Sequence, residues 1–285
     1  MNKRIREDIT SADILISENN SHSSQQEAKK TKLSPFEIFS DDVIYEILNY
    51  HRNDFIFMVM NCALVSKQWL NVISERLKFS LVCGSDSKMQ GQFLQNIENL
   101  KVRIGTIAFE LFDCRLFGLM KHLTQLDVSV NLFTFSQAKL IGELAPQLTN
   151  LNISHNTIGV YGAKHISKLK HLTILNISGN LIGQQGAKAI SNLEYLTELN
   201  ISNNSIFEEG VKFIGEMKQL RTLDIHNNMI EEKGVEHLTQ LEQLTKLDIS
   251  NNSIGANGVK YLTKMKQLTI LDVSYNRIDE KEFYF

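Results

Sequence analysis

The stretch "NISHNTIGVYGAKHI" fills Asn152 to Ile166, and "NISGNLIGQQGAKAI" fills Asn176 to Ile190, 24 residues further on. Two near-copies at a fixed interval imply a unit that stacks on itself, because so short a unit cannot bury its own apolar side chains. The interval continues in both directions. Units open at Leu123, Leu148, Leu172, Leu196, Leu220, Leu244 and Leu268, with one extra residue near Pro146. Each begins L-x-x-L-x-[IV]-x-x-N, as in Leu148, Leu151, Ile153 and Asn156. Seven copies in register exclude coincidence.

The pattern dictates a local structure. Leu151-x-Ile153 alternates, so its apolar side chains share one face of a short strand. Parallel pairing of that strand with its equivalents builds a continuous sheet. Asn131, Asn156, Asn180, Asn204, Asn228, Asn252 and Asn276 end the strands. An inward amide at that point can bond backbone groups freed by the turn. Ile158 and its equivalents re-enter the core. Gly162, Gly186, Gly210, Gly234 and Gly258 then allow either positive φ or close backbone approach. Ala163, Ile166 and Leu169 form a buried helical stripe, which leaves Lys164, Lys188, Lys212 and Lys260 facing solvent. The expected fold is α/β: a curved solenoid with parallel strands on the concave face and helices on the convex face. Gln137 and Glu282 replace the glycine in the terminal units, and Phe283 with its neighbours is expected to cap the last one.

Upstream the texture differs. Residues 1–32 are polar and read as a disordered arm. Residues 33–79 carry apolar side chains at helical spacing, with Ser40 as an N-cap followed by Asp41 and Asp42. Residues 80–122 read as degenerate repeats or a linker, with strands expected at "FSLVCG" and "VRIGTIAFE". The solenoid takes residues 123–285.

With these residues in view, the array resembles leucine-rich repeats of the 24-residue, Gly-Ala, ribonuclease-inhibitor-like class. "FSDDVIYEIL" (Phe39 to Leu48) and "LVSKQW" (Leu64 to Trp69) resemble an F-box. Ser40 stands where that family has proline, and the interval from Asp54 to Lys67 is longer than usual. The resemblance implies the substrate-recognition subunit of a Skp–cullin–F-box ubiquitin ligase. Phe39, Ile44, Ile47, Leu48, Val65 and Trp69 would dock a Skp-type adaptor and, through it, a cullin, while the repeats hold a target protein. Two other readings stay open: a leucine-rich-repeat scaffold or inhibitor outside ubiquitin chemistry, and a bacterial effector mimicking a host F-box protein.

Charge and composition narrow the classes. Thirty basic and 32 acidic residues give a net charge of -2, which offers no general attraction to nucleic acid or an anionic membrane. Three cysteines without a CxxC pair fit a reducing compartment and buried thiols. A cytoplasmic location is expected, with nuclear import left open by the short basic runs "KRIR" and "KKTK". The eight histidines show no metal-ligand spacing, and no nucleophile or phosphate-binding motif is present, so no catalytic residue, metal or cofactor is expected. Concave positions that differ from unit to unit are the candidates for target binding: His155, Ile174, Glu198, His226, Lys246, Ile270 and Tyr275. Beside them Asp127, Asn152, Asn176, Asn200, Asp224, Asp248 and Asp272 occupy one outward position, and the three consecutive aspartates fit a basic partner or, equally, recent duplication of one unit.

Overall fold

Leu126, Leu151, Leu175, Leu199, Leu223, Leu247 and Leu271 stand side by side, each the central residue of a three-residue strand. They belong to a computed structural model of the chain that describes residues 79–84, 91–103 and 113–278. The seven strands are β3 (Gln125–Asp127), β4 (Asn150–Asn152), β5 (Ile174–Asn176), β6 (Glu198–Asn200), β7 (Thr222–Asp224), β8 (Lys246–Asp248) and β9 (Ile270–Asp272). Two longer strands, β1 (Phe79–Gly84) and β2 (Ile97–Arg103), precede them. All nine form one parallel sheet in chain order.

"FSLVCG" is β1. β2 starts at Ile97, ahead of the "VRIGTIAFE" expected to be extended. The reason is register: Leu100 pairs with Leu126, so Leu100-x-Val102 supplies the two inward side chains that Leu126-x-Val128 supplies next door. Short 3-10 helices, Gly91–Asn96 and Cys114–Leu119, accompany these strands. The regular coils instead return through α1 (Phe135–Leu144), α2 (Gly159–Ile166), α3 (Gly183–Ile190), α4 (Phe207–Ile214), α5 (Glu232–Leu238) and α6 (Gly255–Leu262). Parallel strands sit about 4.8 Å apart whereas packed helices need about 8–10 Å, so the stack curves with its strands on the inside.

One layer of core runs between sheet and helices. In a central coil Leu172, Leu175, Ile177, Ile182, Ala187, Ile190 and Leu193 are all buried. Burial of each Leu or Ile stabilises by about 1.5–3 kcal/mol, and every coil repeats the set. The extra residue near Pro146 is absorbed in the last turn of α1, which has 10 residues where α2 has 8. In that helix Gln137, the glycine replacement, closes a capping box with Thr134.

The asparagines join coil to coil. Asn204 Oδ1 accepts the amides of Asn180 at 2.9 Å and Ile182 at 3.3 Å, while its Nδ2 donates to the carbonyls of Ile177, Ile201 and Ser202. Helix N-termini lack side-chain caps in α2, α3, α4 and α6. Their first amides, on Gly159, Gly183, Phe207 and Gly255, donate to the main-chain carbonyl of the next coil's asparagine. A second ladder runs at the strand entrance: the hydroxyls of Thr173 and Thr197 donate to the carbonyls of Thr149 and Thr173.

Of the two explanations offered for the helix glycines, close approach is the operative one. A Cβ on Gly186 would lie 2.5 Å from Ile182 Cβ and 3.3 Å from Ala163 Cβ. Positive φ occurs instead three residues earlier, at Gly159 and Gly183. Cys114 is buried, and burial with the nearby Asp113 charge pushes its thiol up to about 12, so it is inert at neutral pH. Leu271, in the edge strand β9, is exposed where Leu247 is buried. The polar arm, the adaptor-docking residues Phe39, Ile44, Ile47, Leu48, Val65 and Trp69, and the capping residues Glu282 and Phe283 lie outside the described residues. Among the described residues no helix is long and apolar enough to cross a membrane.

Candidate interaction surface

The concave face is made of columns, one side chain per coil. The first residue of each strand forms a column reading Gln125, Asn150, Ile174, Glu198, Thr222, Lys246 and Ile270. Four of the expected target-binding residues fall in it. Glu198, Lys246 and Ile270 are exposed and Ile174 is half-buried. Glu198 and Lys246 are separated by Thr222 alone, so opposite charges alternate with neutral positions along the curve.

The third residue of each strand carries the Asp/Asn column, which has a local structural role that its sequence does not announce. Oδ1 of Asn152, Asn176, Asn200, Asp224, Asp248 and Asp272 accepts the amide of the residue two positions on, closing the turn that follows the strand. The serine hydroxyl in that turn also donates to it, at 2.8 Å in the case of Ser154 and Asn152. Asp127 is further engaged by Lys101 Nζ. These groups shape the turn with Oδ1, which leaves the second side-chain atom for other contacts.

The serine column Ser129, Ser154, Ser178, Ser202, Ser250 and Ser274 is broken once, by His226. Asn203 Nδ2 donates to its Nε2 at 2.9 Å, which places the ring proton on Nδ1. From there Nδ1–H donates to Asp224 Oδ1 at 2.7 Å, with Asp248 Oδ2 at 3.9 Å. Asn200 Nδ2 donates to Asp224 Oδ2 at 2.8 Å. The Asp224 carboxylate is thus held by an imidazole on one oxygen and an amide on the other, and the imidazole also lies toward Asp248. Asp224, His226 and Asp248 bring one nitrogen and two carboxylate oxygens within 4.8 Å of one another, the one such group of three found among the described residues. Its members come from neighbouring coils, 24 residues apart, so no local motif announces it. The signal was a histidine in a serine column.

His155 and Tyr275 belong to neither strand column. They precede the ladder asparagines, on the rim of the concave face, with φ of 52° and 56°. The same left-handed backbone occurs at Val130, Asn203, Asn227 and Asn251. Gly179 makes room for the His155 ring, since a Cβ there would sit 2.8 Å from His155 Nδ1. Tyr275 is 84% exposed. One rim feature went unread in the sequence. Leu181, Phe207 and Met229 are exposed large apolar residues at φ of 57°, 55° and 58°, where glycine or asparagine is intrinsically preferred.

The convex lysines have a structural reason for their row. Lys164, Lys188, Lys212 and Lys260 lie in the last turn of α2, α3, α4 and α6, where cations offset the helix dipole. Lys164 Nζ also sits 5.6 Å from the Tyr161 ring and Lys188 Nζ 5.2 Å from the Phe213 ring.

No curated protein matches this chain. Among solved structures, internalin C2 of Listeria monocytogenes superposes with a TM-score of 0.50 at 20% identity, over 67% of this chain and 77% of that one. The plant peptide hormone receptor RGFR1, solved with RGF2, gives a TM-score of 0.49 at 21% identity over 71% of this chain. This chain covers 32% of that receptor's length. Residues 149–283 match the family described as the leucine-rich repeat region. That match, together with the internalin-like stacking of parallel strands and returning helices, makes the repeat array a leucine-rich-repeat solenoid.

Proposed function

We propose that this array, a protein-interaction scaffold, is the target-binding part of a substrate receptor in a Skp–cullin–F-box ubiquitin ligase. The observation that carries the target-binding half is the concave face. There the column holding Glu198 and Lys246 varies from coil to coil and His226 breaks the serine column, while the convex lysines follow a structural rule. Side chains that depart from the repeat are where one partner can be told from another. The adaptor-binding half is supported by the F-box resemblance of Phe39 to Leu48 and Leu64 to Trp69. In this reading the chain performs no bond chemistry. It holds a target near ubiquitin-charged subunits, and proximity is its contribution. Its work would lie in the cytoplasm, with the nucleus as a second site.

Binding of the purified full chain to a purified Skp-type adaptor tests the proposal. The wild type should form a stable complex, and Ile47→Asp with Leu48→Asp should abolish it while circular dichroism stays unchanged. A folded double variant that binds as well as the wild type would remove the ligase reading and leave a scaffold or inhibitor.

A further inference from the structure

We propose that Asp224, His226 and Asp248 form a site for a divalent first-row transition-metal ion such as Zn2+. Each offers one ligand atom, and the three atoms lie within 4.8 Å of one another. Tetrahedral ligands held about 2.1 Å from an ion lie about 3.4 Å apart, so side-chain rotations that draw the widest pair in by roughly 1 Å or a little more close the site. The donors are one imidazole nitrogen and two carboxylates, a set that suits zinc and its neighbours better than calcium or magnesium. On uptake the ring proton passes through solvent from Nδ1 to Nε2, so that Nδ1 offers its lone pair to the metal and the imidazole stays neutral. The Asn203 carboxamide beside Nε2 then turns so that its Oδ1 accepts Nε2–H, giving up the bond from Asn227 Nδ2, and this fixes the ring.

Two departures from the repeat coincide here. His226 replaces the serine found at this position in the six other coils, and the preceding column changes from Asn200 to Asp224 and Asp248 at the same step. A serine would make the turn's bond equally well, as Ser250 does to Asp248 at 2.6 Å. The turn therefore does not require an imidazole. The site is also accessible, with side chains of Asp224, His226 and Asp248 exposed by 26%, 33% and 37%. Three protein ligands leave coordination positions open to water or to a donor from a bound partner.

The repeat itself supplies variants that keep the fold. His226→Ser restores the residue of the other coils, and Asp248→Asn restores that of coils such as the one holding Asn200. Calorimetric titration of the full chain with Zn2+, at matched urea midpoints, tests the site. The expected result is uptake that includes one ion lost from both variants, each weakening it about tenfold or more, and retained in the control His171→Gln, in the turn before β5. No Zn2+ uptake by the wild type, or uptake that both variants preserve, overturns the proposal.

Discussion

The side-chain oxygen of Asn228 accepts the backbone amide of Asn204 at 2.9 Å, while its Nδ2 reaches back to the carbonyl of Ile201 at 3.0 Å. One buried carboxamide thus satisfies both a donor and an acceptor of the preceding coil. Removing one such group in the middle of the stack should be costly. Asn204→Ala strands the amides of Asn180 and Ile182, and the expected loss is about 1–3 kcal/mol. At Asn276 the corresponding bonds are longer, 3.2 and 3.5 Å, so Asn276→Ala should cost less. Urea midpoints of the two variants measure the difference, and equal shifts would contradict a ladder that weakens toward its end.

The helix glycines separate two kinds of constraint. Gly186→Ala puts a methyl against Ile182 and Ala163, and overpacking of this kind should destabilise by about 1–3 kcal/mol. Gly183 has φ +58° and a Cβ there would meet nothing nearer than Ser205 O at 4.0 Å, so Gly183→Asn should cost less than about 1 kcal/mol, because asparagine tolerates left-handed backbone. Thermal unfolding of both variants decides the matter.

Leu181 is 71% exposed at φ 57°. Asparagine at this position relieves backbone strain and loses little burial, so Leu181→Asn should be neutral or stabilising by up to about 1 kcal/mol. A large destabilisation in a urea melt would show that the rim leucine is packed.

Much of this was legible because the period is constant. The inward Leu and Ile positions, the asparagine ladder and the convex lysines all follow from a 24-residue repeat with alternation inside it. The start of β2 was misplaced because Leu100 and Val102 sit in a segment without the terminal asparagine that marks other strands. The Asp/Asn column was legible as outward-facing but not as turn-forming, since local capture of Oδ1 by a residue two positions on looks the same in sequence as an exposed acid. The His226 cluster was hidden because its contacts cross coils.

Acid sensitivity should localise at the first regular strand. Burial raises the Asp127 carboxyl, but bonds from Lys101 Nζ and from the hydroxyl and amide of Ser129 outweigh it, so the group titrates below its ordinary 3.8. A depressed folded-state pKa contributes stability that is full above the unfolded value and is lost as pH falls through the folded one. Lys101→Met removes part of that contribution. The stability gap between wild type and variant should therefore be widest near about pH 7 and should shrink at about pH 3. Urea midpoints at the two pH values test this, and a gap that widens in acid would reverse the assignment.

Recognition on the concave side predicts a contrast between faces. His226→Ala with Tyr275→Ala should weaken capture of the target, and each buried interface aromatic can carry about 2 kcal/mol. Lys164→Gln, Lys188→Gln and Lys212→Gln together should leave it nearly unchanged, because exposed charges contribute at most about 1 kcal/mol each. Loss of the target from the triple variant alone would move recognition to the helices.

Affinity purification of the full chain from its native cell, read by quantitative mass spectrometry, tests the receptor reading most directly. Skp-type adaptor and cullin peptides should accompany the wild type and vanish from the Ile47→Asp, Leu48→Asp variant, while His226→Ala with Tyr275→Ala keeps the adaptor and loses a distinct protein. Recovery of concave-face partners with no adaptor or cullin peptide would contradict the account.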